Sequence, residues 1–366
     1  SPDMKTFGYT SFLYNEYIRE VLIRSKCQAV FTREAIPDIM IIIKDYKSCN
    51  NVLYLENNNV ICNKTVRIEN VDILPIADRG IAGGEFYQFP YGKGKNLHNI
   101  TTMHTSYGCV FPCAYYCPYP LAEGRRYRPQ SVKRVIKELE RIKELNFEAV
   151  IFRDPLFSLD MQRVEDICNT IIQKQIHIAW WCETRIDCLD YNLLLLMKKA
   201  GLVGLEVGVE SGDESVMITQ GKKGLTLSKL EEFVQATKKV GIFVQYLFLF
   251  GLPNETKISM VKTIELILNL ELEEDQYNIS IITPYPGTQL YEEAMEKGWI
   301  EKRWSKYTGY SAVMHTDNLS IKDIKQAEIF AEELYKLIDD KKYLDKDEWL
   351  NIKNNFIHKL RRWGQQ

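Results

Sequence analysis

Three cysteines, Cys109, Cys113 and Cys117, recur every four residues in Thr105-Ser106-Tyr107-Gly108-Cys109-Val110-Phe111-Pro112-Cys113-Ala114-Tyr115-Tyr116-Cys117-Pro118-Tyr119-Pro120. Gly108, Pro112, Pro118 and Pro120 interrupt any regular helix there, so the thiols sit on a loop that wraps around something. Soft thiolates favour iron–sulfur clusters or zinc, and backbone N–H groups of such a loop can stabilise negative sulfur. Three thiols with no fourth cysteine nearby leave one metal position open. Two other uses compete. An odd count of nine cysteines, with no secretory signal, argues against a disulfide framework and for a reducing compartment. A structural zinc site of Cys109, Cys113, Cys117 and His104 is the stronger rival, although zinc ligands usually come in close pairs from separate elements.

Such a loop needs regular elements to present it. From about residue 98, strand-like and helix-like segments alternate, the pattern of βα units and a parallel sheet. Six strands are expected, over residues 100–104, 149–152, 177–182, 204–209, 243–250 and 277–282, the first feeding directly into the cysteine loop. Between them, apolar residues fall at steps of three and four, as Val132, Val135, Ile136, Leu139 and Ile142 do. One helix starts at Asp190 and stops at Gly201; another is capped by Thr226 and runs to Gly241. The expected fold is therefore α/β, a partial barrel of six βα units. Each strand ends in Gly, Pro, acidic or hydroxyl residues, and the C-terminal rim of a βα barrel is where chemistry sits. Asp154, Glu183, Arg185, Glu210 and Ser211 lie on that rim. Their simpler use would be ion pairs tying neighbouring strand ends.

The rest of the chain frames this core. Charged residues make up 26% and apolar ones 45%, and the net charge of −2 gives no electrostatic case for nucleic acid. No apolar run approaches the about 20 residues of a membrane span, so a cytoplasmic protein is expected. Residues 1–90 read as a small αβ piece, with an aliphatic stretch at 36–43 and a strand, polar turn and strand over 52–62. It has too few periodic segments for a full domain with its own core. A linker rich in Gly, Tyr and Phe follows, including Gly83-Gly84-Glu85-Phe86. The core spans 91–300, and 301–366 form a helical extension with a helix opened by Ser320 and a basic tail helix that packs across the barrel.

A cysteine loop after the first of six βα units resembles the radical SAM superfamily, and within it the branch usually fused to a cobalamin-binding domain. The likeness covers residues 98–345. It is carried by Thr105-Ser106-Tyr107-Gly108-Cys109, Phe152-Arg153-Asp154-Pro155-Leu156-Phe157, Cys182-Glu183-Thr184-Arg185-Ile186-Asp187, Gly208-Val209-Glu210-Ser211-Gly212, Phe250-Gly251-Leu252-Pro253-Asn254-Glu255-Thr256 and Thr283-Pro284-Tyr285-Pro286-Gly287-Thr288. Two departures stand out. The family pattern is CX3CX2C, whereas here it is Cys109-X3-Cys113-X3-Cys117, a spacing shared with radical diol dehydratases of aminoglycoside biosynthesis. Residues 1–90 resemble the end of a cobalamin domain, yet no Asp-x-His-x-x-Gly ligand motif occurs among the 366 residues.

The resemblance implies a [4Fe-4S] cluster on Cys109, Cys113 and Cys117, with S-adenosylmethionine on the open iron and a 5'-deoxyadenosyl radical that abstracts a substrate hydrogen. Cofactors do the radical chemistry and the protein supplies placement and electrostatics. Tyr116, with Tyr115 as competitor, would face the adenine; Asp154 would take the ammonium group and Arg185 the carboxylate in a forked geometry. Glu183, Glu210 and Ser211 are the remaining cofactor candidates. Arg125 and its neighbours Arg126 and Arg128 either grip an anionic substrate or brace the loop. Tyr246, Tyr285, Trp304 and Tyr310 are candidates for lining the substrate space.

The expected function is hydrogen abstraction from a small, hydroxyl-rich natural-product or antibiotic intermediate, such as a sugar or aminocyclitol, giving dehydration, oxidation or epimerisation without cobalamin. That is lyase, oxidoreductase or epimerase chemistry, fed by a flavodoxin or ferredoxin. A methyltransferase whose cobalamin sits on a separate or removed domain is the alternative, since the opening Ser1-Pro2-Asp3 has no initiator methionine. A zinc-bearing interaction protein is the non-enzymatic one.

Overall fold

In the computed structural model, which describes residues 6–9, 15–81, 87–92, 94–300 and 304–366, the N-terminal piece builds its own sheet. Strands β1 (Phe7–Tyr9) and β2 (Ala29–Phe31) are parallel, and β2 pairs antiparallel with β3 (Val52–Glu56), which pairs with β4 (Asn59–Cys62). Asn57 and Asn58 make the turn between the last two with φ of 49° and 65°, the mirror-image turn that suits a two-residue hairpin. Successive strand residues point to opposite faces. Val30 and Leu53 therefore meet Ile18 and Leu22 of α1 (Asn15–Ser25), while Ala29, Val52 and Tyr54 meet Ala35 and Ile42, the latter on α2 (Ile39–Asp45). The aliphatic stretch 36–43 is thus helical, and the piece carries two small apolar clusters of its own. Residues 83–86 of the linker lie outside the described residues.

Buried charge ties this piece to the rest. The Glu34 carboxylate accepts from Arg128 Nη2 at 2.8 Å and Ile68 N at 2.8 Å, and Arg67 donates to the carbonyls of Ala122 and Leu121 at 2.6 and 2.9 Å. Those carbonyls belong to α3 (Tyr119–Glu123), which directly follows the cysteines. The N-terminal piece therefore buttresses the cysteine loop from behind.

A short hairpin, β5 (Phe89–Pro90) with β6 (Asn96–Leu97), leads into the core. There β7 (Ile100–Met103) is followed by β8 (Ser106–Tyr107) and β9 (Arg128–Pro129), which pair with each other across the loop. The remaining core strands are β10 (Ala149–Phe152), β11 (Ala179–Thr184), β12 (Leu202–Glu210), β13 (Phe243–Phe250) and β14 (Tyr277–Ile281). All six core strands are parallel in the order β14-β13-β12-β11-β10-β7. The third strand lies two positions later than the expected 177–182. The outward faces, with Phe152, Trp180, Leu205, Tyr246 and Phe248, pack under α4 (Val132–Glu144), α5 (Met161–Gln173), α6 (Tyr191–Lys199) and α8 (Leu227–Val240), with α7 (Glu214–Thr219) between the last two. The expected helix starts are met, Asp190, Thr226 and Ser320 each capping through the side chain, and Ser131 and Asp160 cap their helices in the same way.

Helix α9 (Lys257–Asn269) follows β13, α10 (Gln289–Glu296) follows β14, and α11 (Ile321–Asp340) and α12 (Lys346–Gly364) pack against α9 and each other. Phe330 anchors that contact, 5.3 Å from the Trp363 ring and 6.4 Å from Phe356. The basic tail is used internally, through Lys359 to Glu333 and Arg361 to Glu265. Among the described residues no helix is long and apolar enough to cross a membrane.

The loop after β13 carries a pH-sensitive group. Glu255 is fully buried and accepts from Gly251 N at 2.7 Å and Leu252 N at 3.3 Å, yet burial pushes its carboxyl up to about 8 from 4.5. With the folded value above the unfolded one, the stability it contributes is full below the unfolded value and is lost as pH rises through about 8. At ~1.4 kcal/mol per unit the loss is roughly 3–5 kcal/mol. Glu255→Gln is expected to flatten the fall in melting temperature between about pH 5 and 8; identical slopes in thermal scans of the two proteins would show the assignment to be wrong.

Candidate active site

The cysteine loop lies at the C-terminal end of the sheet and is held from several sides. At its start, Asp154 accepts from Thr105 N at 2.6 Å, Thr105 Oγ1 at 2.5 Å and Ser106 Oγ at 2.7 Å, all of them buried. Next, Gly108 sits at φ 80°, where a Cβ would stand 2.1 Å from the Arg126 carbonyl oxygen. Only a residue with no side chain fits this approach. Gly108→Ala should cost at least ~1–2 kcal/mol for the left-handed backbone alone, with a matching fall in metal bound per chain in an iron assay and thermal scan. Full iron loading and an unchanged melting temperature would contradict it.

Around the thiols stand two cations. Gly221, at φ 80°, packs so closely that a Cβ would meet Cys113 N at 3.0 Å. That contact brings in the next residue, Lys222, which is buried, bridges to Glu210 Oε1 at 3.0 Å and donates to the Gly208 carbonyl at 3.0 Å. Arg185 lies over the Phe111 ring at 3.9 Å and forks onto Asp187 at 2.8 and 2.7 Å, leaving its buried Nη1 with no partner among the described residues. Burial pushes the Cys113 thiol up, with Lys222 pulling the other way, and pushes Cys117 up to about 12 with the Tyr119 backbone opposing. Cys117 N donates to the Cys113 carbonyl at 2.9 Å and Cys109 N to the Gly124 carbonyl at 3.1 Å, and the charges of Cys109 and Cys113 both act on the Cys117 thiol, which places the three thiols in one region.

The donor set suits a cluster. Among the described residues no three His, Cys, Asp or Glu side chains are grouped to hold a single metal ion. Three soft thiolates with the cations Lys222 and Arg185 nearby to offset negative sulfur are the donors an iron–sulfur cluster would take. His104, the proposed fourth zinc ligand, stacks on Tyr107 at 5.2 Å and points Nε2 to Glu123 at 3.4 Å.

Beside the loop is a cavity of about 310 Å³, lined by Tyr116, Cys117, Leu249, Ser280, Tyr285 and Tyr310 among others. Tyr116 borders it and contacts Glu210, whereas Tyr115 turns away to donate to Glu293 on α10 at 2.5 Å. Glu210 ends β12 at φ 75°, a conformation rare for a side-chain-bearing residue and concentrated at functional sites.

Several expected roles change. Both oxygens of Asp154 are committed to the loop, so it positions the cysteines and is not free for an ammonium group. The Arg185 fork is taken by Asp187, which leaves one N–H rather than a clamp for a carboxylate. Glu183 is held by Arg153 Nη1 at 2.8 Å and by Tyr119 OH at 3.1 Å. Ser211 is fully buried and accepts from Asp213 N at 3.2 Å, a turn contact rather than a cofactor contact. Tyr246 faces the helices, 1% exposed and edge-on to Phe233 at 6.4 Å, so it does not line the substrate space. Arg125 is exposed, Arg126 pairs with Glu69 on the surface, and Arg128 braces the loop through Glu34. The Trp304 side chain lies outside the described residues. Sequence reasoning missed Lys222, Tyr119, Arg153 and Glu206. Lys222 had a signal in its setting, Gly221-Lys222-Lys223-Gly224, between two glycines.

The chain is thus an α/β protein whose parallel six-stranded sheet carries three thiols on the loop after its first strand, at the sheet's C-terminal end. The chain carries a radical SAM superfamily domain: residues 103–267 match the model of that family. Over 290 residues it is 30% identical to an uncharacterised methyltransferase of Pyrococcus horikoshii, covering 77% of this chain and 60% of the relative. Among solved structures it resembles the cobalamin- and [4Fe-4S]-bound methyltransferase TsrM from Kitasatospora setae (TM-score 0.63, 15% identity, 81% of this chain and 58% of that one). It also resembles the cobalamin-dependent S-adenosylmethionine radical enzyme OxsB (TM-score 0.66, 16% identity, 94% of this chain and 57% of that one). The chain thus spans about 60% of the length of these proteins. They lend no support to the expectation of chemistry without cobalamin.

Proposed function

We propose that the chain is the catalytic part of a cobalamin-associated radical S-adenosylmethionine enzyme that methylates a small molecule at the barrel mouth. The observation that carries the reading is the convergence of Cys109, Cys113 and Cys117 beside a cavity bordered by Tyr116 and inward residues of β13 and β14. When bound, the cluster and S-adenosylmethionine would supply the radical that removes a substrate hydrogen. Cys109, Cys113 and Cys117 would hold the cluster, and Lys222 with the free Arg185 Nη1 would offset its charge. Glu210 and Tyr116 would meet the cofactor from the cavity side. Similarity to the Pyrococcus methyltransferase and the TsrM fold support methyl transfer as the outcome. Cobalamin would be supplied from outside these 366 residues, none of which form an Asp-x-His-x-x-Gly ligand motif.

That missing motif favours the second reading, hydrogen abstraction without methylation, ending in dehydration, oxidation or epimerisation. Anaerobic incubation of the reconstituted protein with S-adenosylmethionine, a flavodoxin or ferredoxin as reductant, added cobalamin and candidate polar substrates separates the two. Formation of 5'-deoxyadenosine with a methylated product supports the first, and 5'-deoxyadenosine with an unmethylated product the second. Near-zero iron and no 5'-deoxyadenosine would overturn both.

A further inference from the structure

The inside of the barrel is layered. Register places Ile151, Trp181, Gly204 and Phe243 in one inward row across β10 to β13. The Trp181 ring lies over Gly204, where a Cβ would meet it at 2.2 Å, and together with Phe89 and Leu97 these residues close the N-terminal end with apolar surface. Two positions further along each strand the inward row changes character. Glu183 partners Glu206, Glu206 partners Gln245, and Arg153 follows Phe152, itself the partner of Cys182. Four neighbouring strands thus present Arg153, Glu183, Glu206 and Gln245 side by side.

Within this row Glu206 stands out. Glu183 has Arg153 and Tyr119 as partners, but the half-buried Glu206 carboxyl makes no hydrogen bond to any described residue. Burial pushes it up to about 7, Glu183 adding to the rise and Arg153 opposing it. A half-buried carboxyl in this position gains from a hydrogen-bond donor brought to it from the interior. Above the row, Gly208 leaves room for the Lys222–Glu210 pair, since a Cβ there would stand 2.5 Å from Glu210 Oε1. The cavity beside Cys117 is lined by Leu249 and Ser280, on the same face of the sheet as Gln245, so it adjoins this interior from the β14 edge.

We propose that Glu183 and Glu206, flanked by Arg153 and Gln245, form a substrate subsite inside the barrel for a hydrogen-bond-donating head group, an amine or neighbouring hydroxyls, on a small molecule. This deepens the functional reading above and rests on its placement of the reaction at the barrel mouth. A lipid chain or apolar ring system in the same place would bury Glu206 without a partner.

The test reads binding, not turnover. The reconstituted 366-residue protein with S-adenosylmethionine is titrated by ligand-observed NMR with glucosamine, myo-inositol and indole, alongside Glu206→Leu and Glu206→Gln. Binding of glucosamine or myo-inositol is expected, weakened about tenfold in Glu206→Leu with a melting temperature that is unchanged or higher. In Glu206→Gln the amine should lose more affinity than the polyol if the head group is an ammonium, and both should persist if it is a diol. The proposal is overturned if neither polar probe binds, if Glu206→Leu binds them as the parent does, or if indole alone binds. Should binding hold while no 5'-deoxyadenosine forms, the radical assignment fails and the subsite stands.

Discussion

Cys113→Ala is expected to remove S-adenosylmethionine cleavage down to background, with iron falling well below the parent's and the far-UV spectrum nearly unchanged. Cys113 is the middle one of the three thiols in sequence, next to the Gly221 contact and under the influence of both cations, so its loss would remove the most charge-compensated of the thiolates that would hold a cluster. A cluster short of one protein thiolate has two open corners and no defined place for an incoming cofactor. The fold should survive because the loop is held by Asp154, Glu34 and Arg67, whose contacts do not involve the sulfur. Anaerobic assay of 5'-deoxyadenosine, with iron and sulfide analysis on the same sample, decides it. Cleavage at the parent rate would mean that other residues bind the metal.

Asp154→Ala should produce the largest loss of stability, roughly 3–5 kcal/mol, because three buried donors would lose their acceptor at once. Burial raises the carboxyl's pKa against the three hydrogen bonds that favour its charged form. Asp154→Asn should cost less: its amide oxygen can still accept from Thr105 N, and the two hydroxyls can rotate to accept from the new NH2. Urea unfolding of the three proteins ranks them, and iron per chain should fall in the same order as the loop loosens. The pattern for direct cofactor binding is different, namely normal stability and iron with a raised KM for S-adenosylmethionine. Observing that pattern would return Asp154 to the cofactor.

Much of this protein can be read from local pattern. Hydrophobic periodicity belongs to the chain itself, so the six βα units, their caps and the C-terminal helices are visible without coordinates, as is a cysteine loop too rich in Gly and Pro to be helical. That such a loop sits at the mouth follows from connectivity, since every βα loop emerges at the C-terminal end of a parallel sheet.

Which partner each rim residue takes was decided only by folding. Asp154 and Thr105 are 49 residues apart, and Glu34 and Arg128 are 94 apart; no local rule joins them. Strand alternation says that neighbours point opposite ways but not which way is inward, and β13, with Phe243, Val244, Tyr246, Leu247, Phe248 and Leu249, is apolar on both faces. Tyr246 therefore could not be assigned to the helix side, nor Gln245 to the interior, until the helices were in place. Composition and spacing determined the scaffold and the set of thiols on its first loop; the packing of distant elements determined which charges were already spent on partners, as those of Asp154 and Glu34 are, and which, such as that of Glu206, were not.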